Sequence, residues 1–243
     1  MNKTAIIIPA RFASTRLPGK PLIKVLDKPL IQWVYEKAKL SKLANDVIIA
    51  TDNDLVFEVA KTFTDSVELT DANHKSGSDR IAEVTKRHND FEYIVNLQGD
   101  EPLIKPESID NIIQGLKDGA DISTLVRLLD DKKDIENPNC VKCVMDNKGY
   151  ALYFSRSKIP YERNINEAEF YGHIGIYGYT RKALLEMTNE SQSMLERSES
   201  LEQLRALQMG FKIKTIKVDF KPIGIDTPED LEAFKAKVEK ELF

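Results

Sequence analysis

The stretch AIIIPARFASTRLPGKPL, residues 5–22, joins a run of apolar residues to a loop that holds three cations. Residues 5–8 have the composition of a buried strand, and Arg11, Arg16 and Lys20 follow among small residues and prolines. A loop that leaves the carboxyl end of the first strand of a parallel sheet lies where α/β proteins bind ligands. Fixed cations and exposed backbone N–H groups suit a triphosphate, and a solvated basic loop is the alternative. The stretch therefore predicts a phosphate-binding loop that lacks the Walker pattern.

Outward from this loop, short apolar runs alternate with helical patterns of apolar residues. The patterns predict strands at residues 5–8, 47–50, 67–69 and 93–97, and helices at residues 29–40, 55–63, 79–87 and 108–116. Buried strands that alternate with helices are typical of parallel sheets, because each helix carries the chain back to the same edge. The first half of the chain therefore predicts an α/β fold, with a mainly parallel sheet and helices on both faces.

Beyond residue 120 strand-like stretches follow one another without intervening helices. The patterns predict strands at residues 122–128, 141–145, 151–154 and 172–179, a hairpin turn at 146–149, helices at 181–187 and 198–209, a strand at 212–218, and a closing helix from 228. We interpret the chain as a single domain over residues 1–243, with a smaller β-rich lobe at roughly 130–200.

The composition limits the classes of partner. The 243 residues carry a net charge of −4, with 42% hydrophobic and 30% charged residues, which is ordinary for a folded globular protein. The acidic balance argues against nucleic acid or an anionic membrane as a partner. Because the sequence shows neither a membrane span nor a signal peptide, we expect a cytoplasmic protein without membrane insertion. Cys140 and Cys143 lack a second pair for a zinc site, and we interpret both as structural.

Acidic side chains at two points of the sequence have the chemistry to bind a metal ion. In VNLQGDEPLI, residues 95–104, a buried strand runs directly into Asp100, where a carboxylate beside a phosphate loop suits Mg²⁺. A turn or helix-cap aspartate is the alternative. In PIGIDTPEDLEAF, residues 222–234, Asp226 is either a second metal carboxylate or, like Thr227, a cap for the closing helix.

A turn of small residues precedes the helix in HKSGSDRIAEV, residues 74–84. Ser76, Gly77 and Ser78 form the turn, and Arg80 follows in the first turn of the helix. Helix N-termini bind anions, and the exposed backbone groups of such a turn can read the edge of a base. Plain capping of the helix by Ser78 is the alternative.

The carboxyl half places charged and hydrogen-bonding residues among aromatic and small ones. Arginine pairs bidentately with carboxylates, and tyrosine, glutamate and glutamine can bind several hydroxyls, so the mixture suits an acidic, polyhydroxylated substrate. For the histidine and the tyrosine taken singly, a packed strand residue is the commoner explanation. The residues are Arg156, Arg163, His173, Tyr177, Glu202 and Gln203.

Seven motifs in order resemble those of the 3-deoxy-manno-octulosonate cytidylyltransferases, the CMP-Kdo synthetases. They are IPARFASTRLPGKPL, SGSDRIAEV, VNLQGDEPLI, YALYFSR, GHIGIYGY, LEQLRAL and GIDTPEDL, and the similarity covers residues 4–234. The resemblance implies a Rossmann-like nucleotidyltransferase fold and a homodimer built through the smaller lobe. It implies transfer of CMP from CTP to the acidic eight-carbon sugar Kdo, with Mg²⁺ and release of pyrophosphate, for lipopolysaccharide biosynthesis.

The resemblance also implies a role for each matching position of this sequence. The triphosphate would be held by Arg11, Ser14 and Lys20, with Arg11, Lys20 and Asp100 in catalysis. The cytidine would lie at Ser76, Gly77 and Arg80. The Mg²⁺ ion would be held by Asp100 and Asp226. The sugar would be bound by Gln98, Arg156, Arg163, His173, Tyr177, Glu202 and Gln203.

Other functions remain open at this point. One alternative is a cytidylyltransferase for the 8-amino analogue of Kdo, which a branch of the family activates, or for another acidic sugar. A hexose-phosphate nucleotidyltransferase of the same architecture is a second alternative. A protein that binds nucleotide without turning it over is a third, and the pair Asp100 and Asp226 argues against it, because a pure binder needs no paired metal carboxylates.

Overall fold

The computed structural model describes residues 3–13, 17–165, 167–221 and 224–242. The chain forms two compact units, one made of Met1–Asp110 with Pro222–Phe243 and the other of Asn111–Lys221. The smaller lobe predicted at roughly 130–200 falls within the second unit. The single-domain interpretation stays a prediction.

A parallel sheet forms the centre of the first unit. The unit contains β1 (Lys3–Ala10), the short pair β2 (Lys24–Val25) and β3 (Lys28–Pro29), β4 (Asp46–Thr51), β5 (Val67–Leu69) and β6 (Phe91–Asn96). Strand β1 pairs in parallel with β4 on one side and with β6 on the other, and β5 extends the sheet beyond β4. Residues 5–8 of β1 have no exposed surface, because this central strand is covered on both faces.

Helices connect these strands and close the chain. The first unit contains α1 (Leu30–Ala38), α2 (Asp54–Lys61), α3 (Gly77–Arg87) and α9 (Pro228–Leu242), and the second contains α5 (Lys132–Glu136), α6 (Arg181–Asn189), α7 (Met194–Glu199) and α8 (Gln203–Gln208). The boundary at residue 110 falls within α4 (Pro106–Lys117). The helices predicted from the first half are confirmed. Along the described residues, no helix combines the length and the apolar composition that a membrane crossing needs.

The start of α3 differs from the prediction by two residues. Ser76, and not Ser78, is the N-cap, because its side chain accepts a hydrogen bond from the backbone of Asp79 at 3.1 Å. The carboxylate of Asp79 in turn accepts from the backbone of Ser76, which completes a capping box. Ser78 is buried in the first turn of the helix. The alternative interpretation, capping of the helix by Ser78, was therefore wrong.

The second unit has a mixed sheet. Its strands are β7 (Ile122–Leu129), β8 (Lys142–Met145), β9 (Ala151–Ser155), β10 (Phe170–Thr180) and β11 (Ile213–Val218). Strand β7 pairs in parallel with β11 and antiparallel with β10, while β8 pairs antiparallel with both β10 and β9. The hairpin turn predicted at residues 146–149 joins β8 to β9. The predicted α/β class, with a mostly parallel sheet and flanking helices, is confirmed.

The helix predicted at residues 198–209 is two shorter helices. Helix α7 ends at Glu199, and the next residue, Ser200, adopts the left-handed conformation with φ of 52°. Helix α8 then begins at Gln203, and its Arg205 makes two hydrogen bonds, of 2.7 and 2.8 Å, with the buried carboxylate of Glu196 in α7. This buried ion pair holds the two helices together across the break, a tertiary contact that helical periodicity does not reveal.

Lys142 in β8 has no exposed surface. Its ammonium donates to the backbone carbonyls of Asn137, Cys140 and Arg156 at 2.7–2.9 Å. Burial lowers the pKa of this amine below its usual value. A single side chain thereby joins three points of the backbone within the second unit.

Candidate active site

Lys20 stands between the two carboxylates that the sequence predicts as metal ligands. Its Nζ donates to Oδ2 of Asp100 at 2.7 Å and to Oδ1 of Asp226 at 2.9 Å. A third hydrogen bond of 2.9 Å goes to the backbone carbonyl of Ile225. The predicted phosphate loop and both predicted metal carboxylates therefore meet at one point of the first unit.

Local structure brings each of these groups to the site. Lys20 begins a short 3-10 helix after Gly19, whose φ of 67° places it in the left-handed region that glycine tolerates. Asp100 follows β6, and its carbonyl accepts from the backbone of Ile225 at 2.9 Å. Ile225 is fully buried in an apolar cluster with residues of α1 and α9, including Phe234. This packing fixes Asp226, the next residue, beside Asp100.

The electrostatics of the site favour a charged lysine. Burial of Lys20 opposes its charge, but the carboxylates of Asp100 and Asp226 outweigh that effect and raise its pKa above the usual value. The same surroundings favour the neutral form of Glu101. Burial, together with the charges of Asp100 and Asp226, raises the pKa of the Glu101 carboxyl to about 8. The negative charge of the site is thus concentrated on Asp100 and Asp226, and a cation must offset it.

A cavity of about 370 Å³ opens beside Lys20 in the first unit. Arg11, which is exposed, lies along its wall. Ser14, predicted to hold phosphate, and Arg16 lie outside the described residues. The lining residues are Pro9, Ala10, Arg11, Ala13, Lys20, Pro21, Gln98, Gly99, Asp100 and Asp226.

The first turn of α3 approaches this cavity. A Cβ atom on Gly77 would lie 3.3 Å from Cγ of Pro9 and 3.6 Å from Nε2 of Gln98, and both of those residues line the cavity. The hydroxyl of Ser76 is already used as the cap of α3. The structure thus brings the predicted cytidine turn against the wall of the cavity that Arg11 and Lys20 also line, within one unit.

The donor set at Lys20 fits a divalent ion of the magnesium type. Two aspartate carboxylates that contact the same ammonium are close enough to share one cation, and Mg²⁺ typically takes one or two protein carboxylates with phosphate and water oxygens as its other ligands. The part of the chain that the structure describes contains no group of three or more acidic, histidine or cysteine side chains that could hold a metal ion.

A β-bulge in the second unit orients two of the predicted sugar residues. The pairing of β10 with β7 shifts register between Ile174 and Tyr177. The hydroxyl of Thr124 in β7 lies 3.1 Å from Nε2 of His173 and 2.8 Å from the carbonyl of Ile176. The rings of His173 and Tyr177 then lie side by side, with centroids 5.2 Å apart. Such bulges redirect side chains, and they are common near active sites.

The other predicted sugar residues of the second unit differ in how fully they are engaged. The guanidinium of Arg156 donates to the backbone carbonyls of Pro138, Glu199 and Ser200 at 2.7–3.3 Å. Gln203 is buried, and its Nε2 has no hydrogen-bond partner among the described residues. Glu202 is half-buried and lies 3.6 Å from Arg205, and Arg163 is exposed. The sugar-binding roles of these residues stay predictions.

The partly buried imidazole of His173 makes the protein sensitive to acid. Burial lowers the pKa of His173 to about 3, below its usual 6.5, so the unfolded chain takes up this proton first as the pH falls. Its contribution to stability is complete above pH 6.5 and is lost as the pH falls toward 3. Between pH 7 and pH 4.5 the unfolding free energy of the parent should fall, and that of His173→Gln should fall by about 1–2 kcal/mol less. Urea denaturation at the two pH values measures both changes. Equal losses in the two proteins would contradict this.

Two acidic residues near the site were missed by the motif analysis. Glu101 was part of a quoted motif but received no role, because its burial is a tertiary property. Asp52 accepts a hydrogen bond of 2.6 Å from Arg80, and it directly follows β4, whereas Asp100 comes a few residues after β6. That position at a strand end was a readable signal for Asp52.

A parallel sheet whose first loop brings a lysine to two carboxylates from later loops, beside one cavity, is the arrangement of a nucleotidyltransferase. A model of the family described as cytidylyltransferase matches residues 5–216 of this sequence. The chain therefore belongs to the cytidylyltransferase family.

Comparison with individual proteins shows which members of this family the chain is similar to. The 3-deoxy-manno-octulosonate cytidylyltransferase of Thermodesulfovibrio yellowstonii is 46% identical, over 94% of this chain and 95% of that protein. A solved structure of CMP:2-keto-3-deoxy-manno-octonic acid synthetase complexed with CTP is 40% identical and covers 98% of this chain and 99% of its own, with a TM-score of 0.94. The predicted resemblance to these enzymes is confirmed. A cytidylyltransferase from Leptospira borgpetersenii, at 22% identity and a TM-score of 0.66, shares the fold.

Proposed function

We propose that this protein is a cytidylyltransferase that activates Kdo with CTP, giving CMP-Kdo and pyrophosphate for lipopolysaccharide biosynthesis. The observation that carries the proposal is the convergence of Lys20, Asp100 and Asp226 beside a cavity that Arg11 also lines. Relatives of nearly the same length that bear this enzyme's name support the choice of substrates.

The reaction is a direct displacement at phosphorus. The anomeric oxygen of Kdo forms a bond to the α-phosphorus of CTP, the bond from that phosphorus to the bridging oxygen breaks, and pyrophosphate leaves with its electron pair. The hydroxyl proton is lost to solvent. A covalent enzyme intermediate is not required, and the free thiols are poor nucleophiles because burial raises the pKa of both, that of Cys143 to about 12.

Catalysis by the chain's own residues is then positioning and electrostatics. Lys20 and Arg11 would offset the charge of the triphosphate and of the departing pyrophosphate. Ser14 would assist them at the triphosphate, and Ser76, Gly77 and Arg80 would shape the cytidine site. The half-buried position of Lys20 strengthens its effect, because charges interact more strongly away from bulk water.

Asp100 and Asp226 would hold Mg²⁺. When bound, the ion supplies positive charge that acidifies the attacking hydroxyl and stabilises charge on the phosphate. The proposal is supported by the shared contact of both carboxylates with one ammonium, which shows that they can serve a single cation.

The sugar would be bound by the residues to which the resemblance assigns that role. Arg156 and Arg163 supply positive charge for its carboxylate, and the remaining residues supply hydrogen bonds for its hydroxyls. The unpartnered Nε2 of Gln203 supports this assignment, because a buried donor without an acceptor is costly unless a ligand satisfies it. The proposed residues are Gln98, Arg156, Arg163, His173, Tyr177, Glu202 and Gln203.

The remaining proposals are supported by the resemblance to the family. We propose a single nucleotidyltransferase domain whose smaller lobe forms a homodimer, and a cytoplasmic location without nucleic-acid partners. Light scattering at micromolar concentration tests the dimer, and a mass equal to one chain would contradict it.

The test of the function is pyrophosphate release from CTP and Mg²⁺ with a panel of acceptor sugars. We expect turnover with Kdo. Turnover with only the 8-amino analogue or with only a sialic acid would change the substrate and keep the mechanism. CTP binding without pyrophosphate release from any sugar of the panel would favour the non-catalytic alternative.

A further inference from the structure

Arg80 is a buried arginine whose guanidinium is hydrogen-bonded by other residues of the chain. Its side chain has no exposed surface. Its Nη2 donates to Oδ2 of Asp52 at 2.6 Å, and its Nη1 donates to Oγ1 of Thr70 at 2.5 Å. The Nε–H is also buried and finds no hydrogen-bond partner among the described residues. A side chain enclosed in this way does not extend into a ligand site as an exposed arginine would.

The partners of Arg80 come from the ends of two neighbouring strands. Asp52 directly follows β4, and Thr70 directly follows β5. The hydroxyl of Thr70 also donates to the backbone carbonyl of Thr51 at 3.0 Å, so it is oriented to accept from Arg80. Arg80 therefore ties the first turn of α3 to the carboxyl ends of both strands.

That same turn packs against two residues, Pro9 and Gln98, that line the cavity beside Lys20. Gly77 approaches Pro9 and Gln98 so closely that a Cβ atom on it would be 3.3 Å from the proline ring. Packed protein interiors transmit small shifts rather than absorb them. If Arg80 moved, the first turn of α3 would move with it. The distance between Gly77 and the cavity wall would consequently change.

Asp52 provides the negative charge that this arrangement needs. A buried guanidinium that loses its carboxylate is strongly unfavourable, and it relaxes by moving toward water. The side chain of Asp52 is 16% exposed, so its own charge is cheaper to maintain than that of Arg80. Neutralising Asp52 would thus move Arg80 rather than Asp52.

We propose that Asp52 and Thr70 are positioning residues for nucleotide binding, which act through Arg80 to hold the first turn of α3 at the cavity. The inference rests on the proposed function, because the nucleotide is the CTP of that reaction. Arg80 contributes to the nucleotide site through the backbone that it anchors.

The test is Asp52→Asn, which keeps the shape of the side chain and removes its charge. Calorimetric titration with CTP in the absence of sugar gives the Kd, and pyrophosphate release gives KM and kcat separately. We expect the Kd and KM for CTP to rise about tenfold or more and kcat to change less than about threefold. The matched control is Asp134→Asn, because Asp134 pairs with Arg127 at a similar side-chain exposure, 19%. We expect this control to bind CTP as the parent does.

Each result of these binding measurements either supports or overturns the proposal. A folded Asp52→Asn protein that binds CTP like the parent overturns it, and so does an equal loss in Asp134→Asn, which would indicate a general effect of destabilisation. Where Asp52→Asn does not fold, Thr70→Val carries the test: a Kd for CTP raised about threefold or more supports the proposal, and an unchanged Kd overturns it. A parent protein that does not bind CTP would overturn the proposed function itself, so the two failures are distinguishable.

Discussion

Asp100→Asn is expected to reduce pyrophosphate release by about 100-fold or more while the protein remains folded. The substitution preserves the size of the side chain and removes one of the two carboxylate charges at Lys20. The loss of stability should be modest, because Lys20 retains Asp226 and the carbonyl of Ile225 as acceptors. Activity and unfolding free energy are therefore expected to separate.

The measurement combines steady-state pyrophosphate release at several Mg²⁺ concentrations with urea denaturation. Asp118→Asn is a suitable control, since Asp118 is exposed at the end of α4 and hydrogen-bonds only a neighbouring side chain and backbone group in the structure as described. We expect that control to match the parent in both measurements. Near-normal turnover by a folded Asp100→Asn protein would rule out the metal-binding role of Asp100.

Lys20→Met is expected to lower kcat/KM for CTP by about 100-fold. Methionine keeps most of the apolar stem but removes three hydrogen bonds and the charge that Asp100 and Asp226 share. The two carboxylates then repel each other without a cation of the protein between them. Both the KM for CTP and kcat should suffer, whereas Asp100→Asn should act mainly on kcat.

The same kinetic assay tests this prediction, with direct CTP titration as a second measurement. Lys24→Met is the matched control, because Lys24 is an exposed lysine four residues along the chain, in β2. Unchanged steady-state kinetics in Lys20→Met would remove the phosphate-binding interpretation of the loop. An equal loss in Lys24→Met would show that the effect comes from general basic charge.

Local sequence was sufficient to predict the four longer strands and most helices of the first unit, but not the short pair β2 and β3. The strand at residues 5–8 and the position of Asp100 are both visible in short windows, because a buried strand leaves a continuous apolar run. Short windows of sequence do not predict the direct contact of Lys20 with both aspartates. Its partners lie 80 and 206 residues away along the chain, and only the folded packing of Ile225 brings them together.

The failures have equally specific causes. Ser76 and Ser78 both precede the helical pattern of α3, and only the backbone conformation shows which of them caps it. The break at Ser200 depends on a left-handed residue and on the buried pair Arg205 and Glu196, none of which alters the apolar pattern. The bulge beside His173 is a similar case, since strand periodicity predicts regular alternation.

Lys142 gives this protein an internal reporter of unfolding. An acylating reagent needs an accessible, uncharged amine, and the amine of Lys142 is enclosed by three carbonyls with no exposed surface. Its modification therefore requires the second unit to open, while exposed lysines such as Lys24 react in the native state. The rate at which Lys142 acquires a label, followed by peptide mass spectrometry, would time the opening of that unit without any engineered probe.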